Sequence, residues 1–192
     1  VPAPCHGEDS PHAWSPPPLD RAVSVRDGRS GKEVSLGAFL DALATADVVF
    51  LGETHDDETT HRVELAVYEG LLARKEKQVV LAMEMFERDV QEELNRYLAG
   101  EIDEPTFLAH SRPWGNYREA YRPLVEKAKK AGRPVVASNF PLTIRRRMAR
   151  EGREVLESLQ RDAADQVPKE LLPNTDAYWQ RVDNAVRGHR GM

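Results

Sequence analysis

The sequence predicts an α/β fold, a three-layer arrangement with a mainly parallel sheet flanked by helices and an N-terminal β-hairpin. Three observations point there. Short apolar runs without alternation, Val48-Val49-Phe50-Leu51, Val79–Met83 and Pro134–Ala137, read as strands buried on both faces. Amphipathic stretches of helical period separate them. Each run turns polar as soon as it ends, so the apolar segments are short and bounded. Buried strands alternating with helices imply right-handed parallel crossovers.

Taken in chain order, the elements justify themselves locally. Six of the 13 prolines fall within Val1–Pro18, and residues 1–20 read as a flexible Pro-rich arm ahead of a single domain over 21–192. Ala22–Val25 alternates, Asp27-Gly28 is a turn signal, and Lys32–Ser35 is the return strand of a hairpin. Ser35 caps a helix carrying Leu36, Phe39, Leu40 and Leu43. Glu58–Arg74 forms a helix with Val63, Ala66, Val67 and Leu71 inward. Val90, Leu94, Tyr97 and Leu98 mark another, closed by Gly100, and Tyr117–Ala131 a third, stopped by Gly132. After Asn139 come two helical stretches, broken near Pro168 and Pro173, and no further strand. Three central strands make a thin sheet, which leads to the expectation of a C-terminally truncated domain.

Composition narrows the function classes. The 27 basic residues against 32 acidic ones give a net charge of −5, so no nucleic-acid surface is expected. No apolar run approaches the roughly 20 residues that span a bilayer. The one cysteine, Cys5, excludes an intrachain disulfide framework and a thiolate zinc cluster. It reads equally as an acylated lipoprotein cysteine, the one route to a membrane, and as a free thiol in the arm. A metal held here would use His, Asp, Glu or Tyr.

In an open parallel sheet the ligand crevice lies beyond the carboxyl ends of the strands. Gly52-Glu53-Thr54-His55-Asp56-Asp57 follows the first strand, Glu84-Met85-Phe86-Glu87 the second, and Ser138-Asn139-Phe140-Pro141 the third. Glu53 and His55 are two apart and share a side in an extended segment. With Glu84 they make one imidazole and two carboxylates, a set suited to a divalent metal or to general acid–base work. His61, in the first turn of the next helix, is a further ligand or supporting group. The competing reading makes the two glutamates helix caps and His55 a loop histidine.

Trp114-Gly115-Asn116-Tyr117-Arg118-Glu119-Ala120-Tyr121-Arg122-Pro123 places Tyr117 and Tyr121 one turn apart, with Arg118 and Arg122 on another face. An aromatic wall flanked by guanidinium groups suits a flat, anionic ligand such as a porphyrin, with a phenolate able to bind ferric iron. Tyrosines at helical intervals also simply pack. The run Arg145, Arg146, Arg147, Arg150 and Arg153 reads as a solvated helix face able to meet propionates or phosphates.

The ordered series Val48–His55, Met83–Phe86, Trp114…Tyr117…Tyr121-Arg122-Pro123 and Val136–Pro141 resembles the ChaN family, haem-binding, iron-regulated bacterial lipoproteins. Distant kin are the Tiki/TraB and erythromycin-esterase-like proteins, which share the Gly-Glu-x-His element. The resemblance covers roughly Arg21 to Arg150. It implies periplasmic or outer-membrane attachment, and haem held face to face between two monomers. It also implies a tyrosine ligand to iron, with Tyr121 and then Tyr117 as candidates, and a cofactor site drawing on Trp114, Arg118, Arg122, His55 and Asn139. Glu53, His55 and Glu84 match the superfamily's metal or catalytic site. Beyond Asn174 no counterpart of the family's later motifs is found.

Three functions follow: a homodimeric haem-binding protein of iron acquisition; a metal-dependent hydrolase using Glu53, His55 and Glu84; and a non-catalytic envelope domain whose polar residues are caps.

Overall fold

The computed structural model describes residues 16–75, 78–152, 154–162, 164, 166–167, 169–170 and 173–189. Most of the Pro-rich arm, with Cys5, lies outside the described residues. In chain order the elements are α1 (Leu19–Ala22), β1 (Val25–Arg26), β2 (Glu33–Val34), α2 (Leu36–Leu43), α3 (Glu58–Lys75) and β3 (Leu81–Glu87). Then come α4 (Gln91–Ala99), α5 (Glu104–Ser111), a π-helical turn (Tyr117–Tyr121), α6 (Arg122–Ala131), β4 (Val135–Asn139), α7 (Leu142–Glu151), α8 (Val155–Asp162) and α9 (Asp176–His189). The α/β class, the parallel pairing and the N-terminal hairpin agree with expectation. No described helix is long and apolar enough to cross a membrane.

The helix boundaries have local causes. Ser35 accepts from the Ala38 N–H at the start of α2, and Asp103 accepts from Thr106 N–H at the start of α5. Gly100 and Gly132 close α4 and α6 in the left-handed conformation, where a Cβ would be strained. Pro123 has no N–H to offer a carbonyl four residues back. The Arg122 N–H instead reaches Tyr117 O, five back, and the chain makes a π-helical turn before α6. The helix expected over Tyr117–Ala131 is thus two pieces.

β3 and β4 pair in parallel, Leu81 to Val135 through Met83 to Ala137 and then Glu87 to Asn139. Between the last two pairs β3 advances four residues while β4 advances two, so the ladder is irregular there. That break buries the adjacent Met85 and Phe86 together. The main core gathers on this side: Phe86, Leu94, Phe107, Val125, Ala128 and Ala137 are all fully buried. Tyr97 stacks on Phe107 at 4.5 Å and hydrogen-bonds Glu126. A smaller cluster of Ile144, Val155, Leu156, Leu159 and Val167 holds α7 and α8 together.

Two strand expectations are corrected. Val48–Leu51 is not a strand: no neighbouring backbone pairs with it among the described residues, and Val48 and Phe50 are 66% and 92% exposed. An apolar run becomes a strand only where another strand satisfies its N–H and C=O groups. The second strand does not stop at Met83. It runs on to Glu87, with Val80, Ala82 and Glu84 exposed and Met83 and Met85 buried, so it is covered on one face only. Among the described residues the C-terminal part holds three helices, α7 to α9, rather than two.

Candidate functional site

The loop after Leu51 leads to Asp57, whose carboxylate accepts from Thr59 N–H and Thr60 Oγ1 and so caps α3. That cap fixes the first turn of α3. His61 and Glu64 follow one turn apart on its buried face, in line with Val67 and Tyr68. Across from them the π-helical turn presents Tyr121, and the preceding loop presents Trp114 and Asn116.

Glu53 is the hub of this meeting. Its Oε1 accepts from the Tyr121 hydroxyl at 2.7 Å and from His55 Nδ1. A carboxylate only accepts, so Nδ1 of His55 carries a proton, and in the neutral ring Nε2 carries the lone pair. No described residue hydrogen-bonds that Nε2, and the His55 side chain is 54% exposed. Trp114 meets the His55 ring edge-on at 4.9 Å and the Tyr121 ring at 5.8 Å. The His55 carbonyl accepts from Asn116 Nδ2 at 2.8 Å and from His61 Nε2 at 2.9 Å, which pins the loop to both flanking elements.

Behind this layer His61 Nδ1 lies 3.0 Å from Glu64 Oε2 and 4.0 Å from Glu53 Oε2. Burial raises the Glu64 pKa, and the neighbouring Glu53 charge adds to it. Burial also raises Glu53, but bonds from Tyr121, Glu64 and His55 outweigh that and hold it below its ordinary value. For His61, burial disfavours the charged ring, yet the His55 carbonyl and Glu64 more than compensate, and its pKa is raised. Burial and then the Glu53 hydrogen bond push the Tyr121 phenol well above its ordinary value, so it is a donor and not a phenolate at neutral pH.

A cavity of about 310 Å³ opens beside these groups, walled by His55, His61, Arg62, Leu65, Asn116 and Ala120, with the carboxylates Asp56, Glu58 and Glu119 also in its lining. Its volume sits at the lower end of the roughly 300–1,000 Å³ of pockets that bury a drug-sized ligand.

The expected residues separate into two groups. Glu53, His55, His61, Tyr121 and Trp114 come together. The others do not. Glu84 lies mid-strand on the exposed side of β3 and shares no hydrogen bond or ion pair with Glu53, His55 or His61. The polar residue at the true strand end is Glu87, which accepts from Arg112 and Arg145. Tyr117 is 2% exposed, packed against Phe86 and Phe107 with its hydroxyl unpartnered. The π-helical turn accounts for this, because it rotates Tyr117 into the core while Tyr121 faces Glu53. Arg122 is held by Glu104 through two bonds, Arg118 is exposed and outside the cavity wall, and Asn139 ends β4 in register with Glu87. Arg145 and Arg147 are likewise engaged by protein groups, Glu87 and Glu151.

Three participants escaped the sequence reading. Glu64 had a signal, the His-x-x-Glu spacing that puts both side chains on one helix face. Asn116 and Arg62 had none.

Comparisons with known proteins bear on the fold and the family. Residues 39–192 match the family described as haem-binding uptake, Tiki superfamily, ChaN. A curated plant protein, RETICULATA-RELATED 5, chloroplastic, of Arabidopsis thaliana, is 31% identical over 121 residues. That alignment spans 58% of this chain and 16% of the plant protein. A solved structure described as cofacial heme binding to ChaN of Campylobacter jejuni superposes with a TM-score of 0.61 at 16% identity. It covers 88% of this chain, which in turn spans 64% of that one. The fold is shared, and the chain belongs to the ChaN family of haem-binding uptake proteins in the Tiki superfamily.

Proposed function

We propose that this chain binds haem on the His55 surface, with His55 Nε2 as the atom that would hold the iron. The observation that carries the reading is the state of that imidazole. Glu53 holds its Nδ1–H and leaves a lone pair on Nε2 at the wall of a cavity. A carboxylate behind a histidine fixes the tautomer and makes the ring a better donor. Haem, when bound, would supply an iron able to accept such a nitrogen. Trp114 holds the ring in place, and Asn116 holds the backbone beneath it.

Tyrosine ligation, the expectation from family resemblance, is disfavoured by the chemistry of the two phenols. Tyr117 is sealed in the core, and Tyr121 would have to give up both its proton and its bond to Glu53. Tyr121 acts instead through Glu53, as a positioning residue for His55.

A porphyrin exceeds what a cavity of about 310 Å³ can enclose, so much of the ring would stand proud of this surface. A second copy of the chain, covering the projecting face, completes the site in this reading, and supports cofacial haem in a homodimer serving iron acquisition. Arg62 is the cation in the wall for one propionate. Envelope attachment through Cys5 belongs to the same proposal and rests on the family resemblance.

Titrating the apoprotein with haemin tests it. The wild type is expected to give a saturable Soret shift that His55→Ala abolishes, Tyr121→Phe weakens and Tyr117→Phe leaves in place. An absent shift, or one indifferent to His55, contradicts the reading.

A further inference from the structure

We propose that two copies of this chain pair by exchange, α9 of each docking on the Val48–Leu51 run of the other. Eight large apolar side chains stand exposed among the described residues, and six of them lie on these two segments. Val48, Phe50 and Leu51 belong to the run, with Phe50 92% exposed; Tyr178, Trp179 and Val186 belong to α9, with Trp179 57% exposed. Apolar side chains scattered singly over a surface are ordinary, whereas gathered ones mark a surface that another group covers.

The two segments suit each other. Along α9, Trp179, Val182 and Val186 recur at i, i+3 and i+7 as one helical stripe, and Tyr178 meets Trp179 edge-on at 5.4 Å. From Asp176 to Arg187 only Val182 is even half-buried, so no described residue covers that stripe. An amphipathic helix needs another element against its apolar side. The run, for its part, has no backbone hydrogen bond to a neighbouring segment among the described residues. The lengths match: Tyr178 to Val186 rises about 12 Å, and four residues of run reach about 13 Å. Charge agrees as well. Asp47, just before the run, and Arg181, within α9, are exposed, and neither has an ion-pair partner among the described residues.

A second copy is the occupant because each chain carries both halves and uses neither: α9 does not cover its own run. Exchange fills both at once and closes under two-fold symmetry, leaving no free surface from which a filament could grow. Scaled by their exposure, the six side chains offer on the order of 600 Å² per copy, and a pair then meets the lower bound of about 1,200 Å² for a specific interface. The pair is therefore a modest one, formed in the micromolar range and lost on dilution, where the run is bare as described above. Neither segment lines the His55 cavity, so this pairing is distinct from one that haem completes.

Sedimentation of the full chain without haemin, over a concentration series through the micromolar range, tests this. The wild type is expected to show a reversible monomer–dimer equilibrium. Phe50→Asp and Trp179→Asp should each weaken dimerisation at least tenfold. An equal mixture of the two variants should dimerise more tightly than either alone, because a mixed pair keeps one contact intact, the helix from one variant on the run of the other. Contacts of run with run or helix with helix gain nothing from mixing, so the mixture separates exchange from both. A wild type that stays monomeric, assemblies that grow beyond two copies, variants that dimerise as the wild type does, or a mixture no tighter than its components each overturn the proposal. The wild-type series needs no variant, and Val186→Asp replaces Trp179→Asp should circular dichroism show the latter unfolded. His55→Ala is expected to dimerise as the wild type does, so failure of the haem reading leaves this result standing.

Discussion

The inner and outer sides of the β3–β4 ribbon are built from similar residues and end up in opposite environments. Inside, Met83, Phe86, Val135 and Ala137 are 5% exposed or less. Outside, Val80 is 56% exposed and Ala82 and Glu84 face solvent; the unpaired run Val48–Leu51, which belongs to no strand, likewise leaves Phe50 92% exposed. The far edge of β4 shows what makes the difference. There the Gln91 side-chain amide donates to Val135 O at 2.9 Å and accepts from Ala137 N–H at 2.8 Å, taking the place of a neighbouring strand. No described strand lies along the far edge of β3. Apolar character alone does not bury a segment: a run needs a partner that satisfies its backbone, and a paired strand such as β3 still buries only the face that other elements cover.

That contrast can be broken by substitution. The largest effect is expected inside, where Phe86→Ala or Phe107→Ala should cost about 3–5 kcal/mol in urea unfolding. Next comes Gln91→Ala. It strands a buried carbonyl and a buried N–H, and about 1–3 kcal/mol should be lost with earlier amide exchange at Ala137.

Glu87 ranks third and adds a pH signature. Burial raises its pKa, but the Leu142 N–H and the Arg112 and Arg145 guanidinium groups outweigh this, so it is held below the ordinary 4.5. A depressed carboxyl contributes stability that is fully present above its unfolded value and is lost as pH falls through its folded value. Stability should therefore decline below about pH 4.5, and Glu87→Gln should flatten that acid limb while costing at most about 1 kcal/mol at neutral pH. The smallest effect is expected outside, where Phe50→Ser should stay within about 0.5 kcal/mol. A loss there as large as at Phe86 would mean that the exposed run is covered in solution.

The same contrast explains what the sequence disclosed. Helix ends were legible because their causes are local: Ser35, Gly100 and Gly132 act through their own backbone. The run Val48–Leu51 looks like a strand in sequence and is not one, because pairing is not a property of the run itself. The onset of polarity at Glu84 suggests a strand end, whereas on a one-sided strand a polar residue at an outward position is ordinary and the strand continues to Glu87. Glu53, His55 and His61 were found from spacing. Their common centre was not, since Glu64, Asn116 and Tyr121 reach it only through the placement of α3 and the π-helical turn. Tyr117 and Tyr121 looked equivalent at helical spacing, and the extra residue in that turn parts them.

The most direct test of His55 as the iron ligand is chemical rescue, in which His55→Gly is mixed with haemin and free imidazole is then added. The account predicts no saturable Soret shift without imidazole and recovery of the wild-type spectrum with it. Unaltered haem binding by His55→Gly before imidazole is added would contradict it.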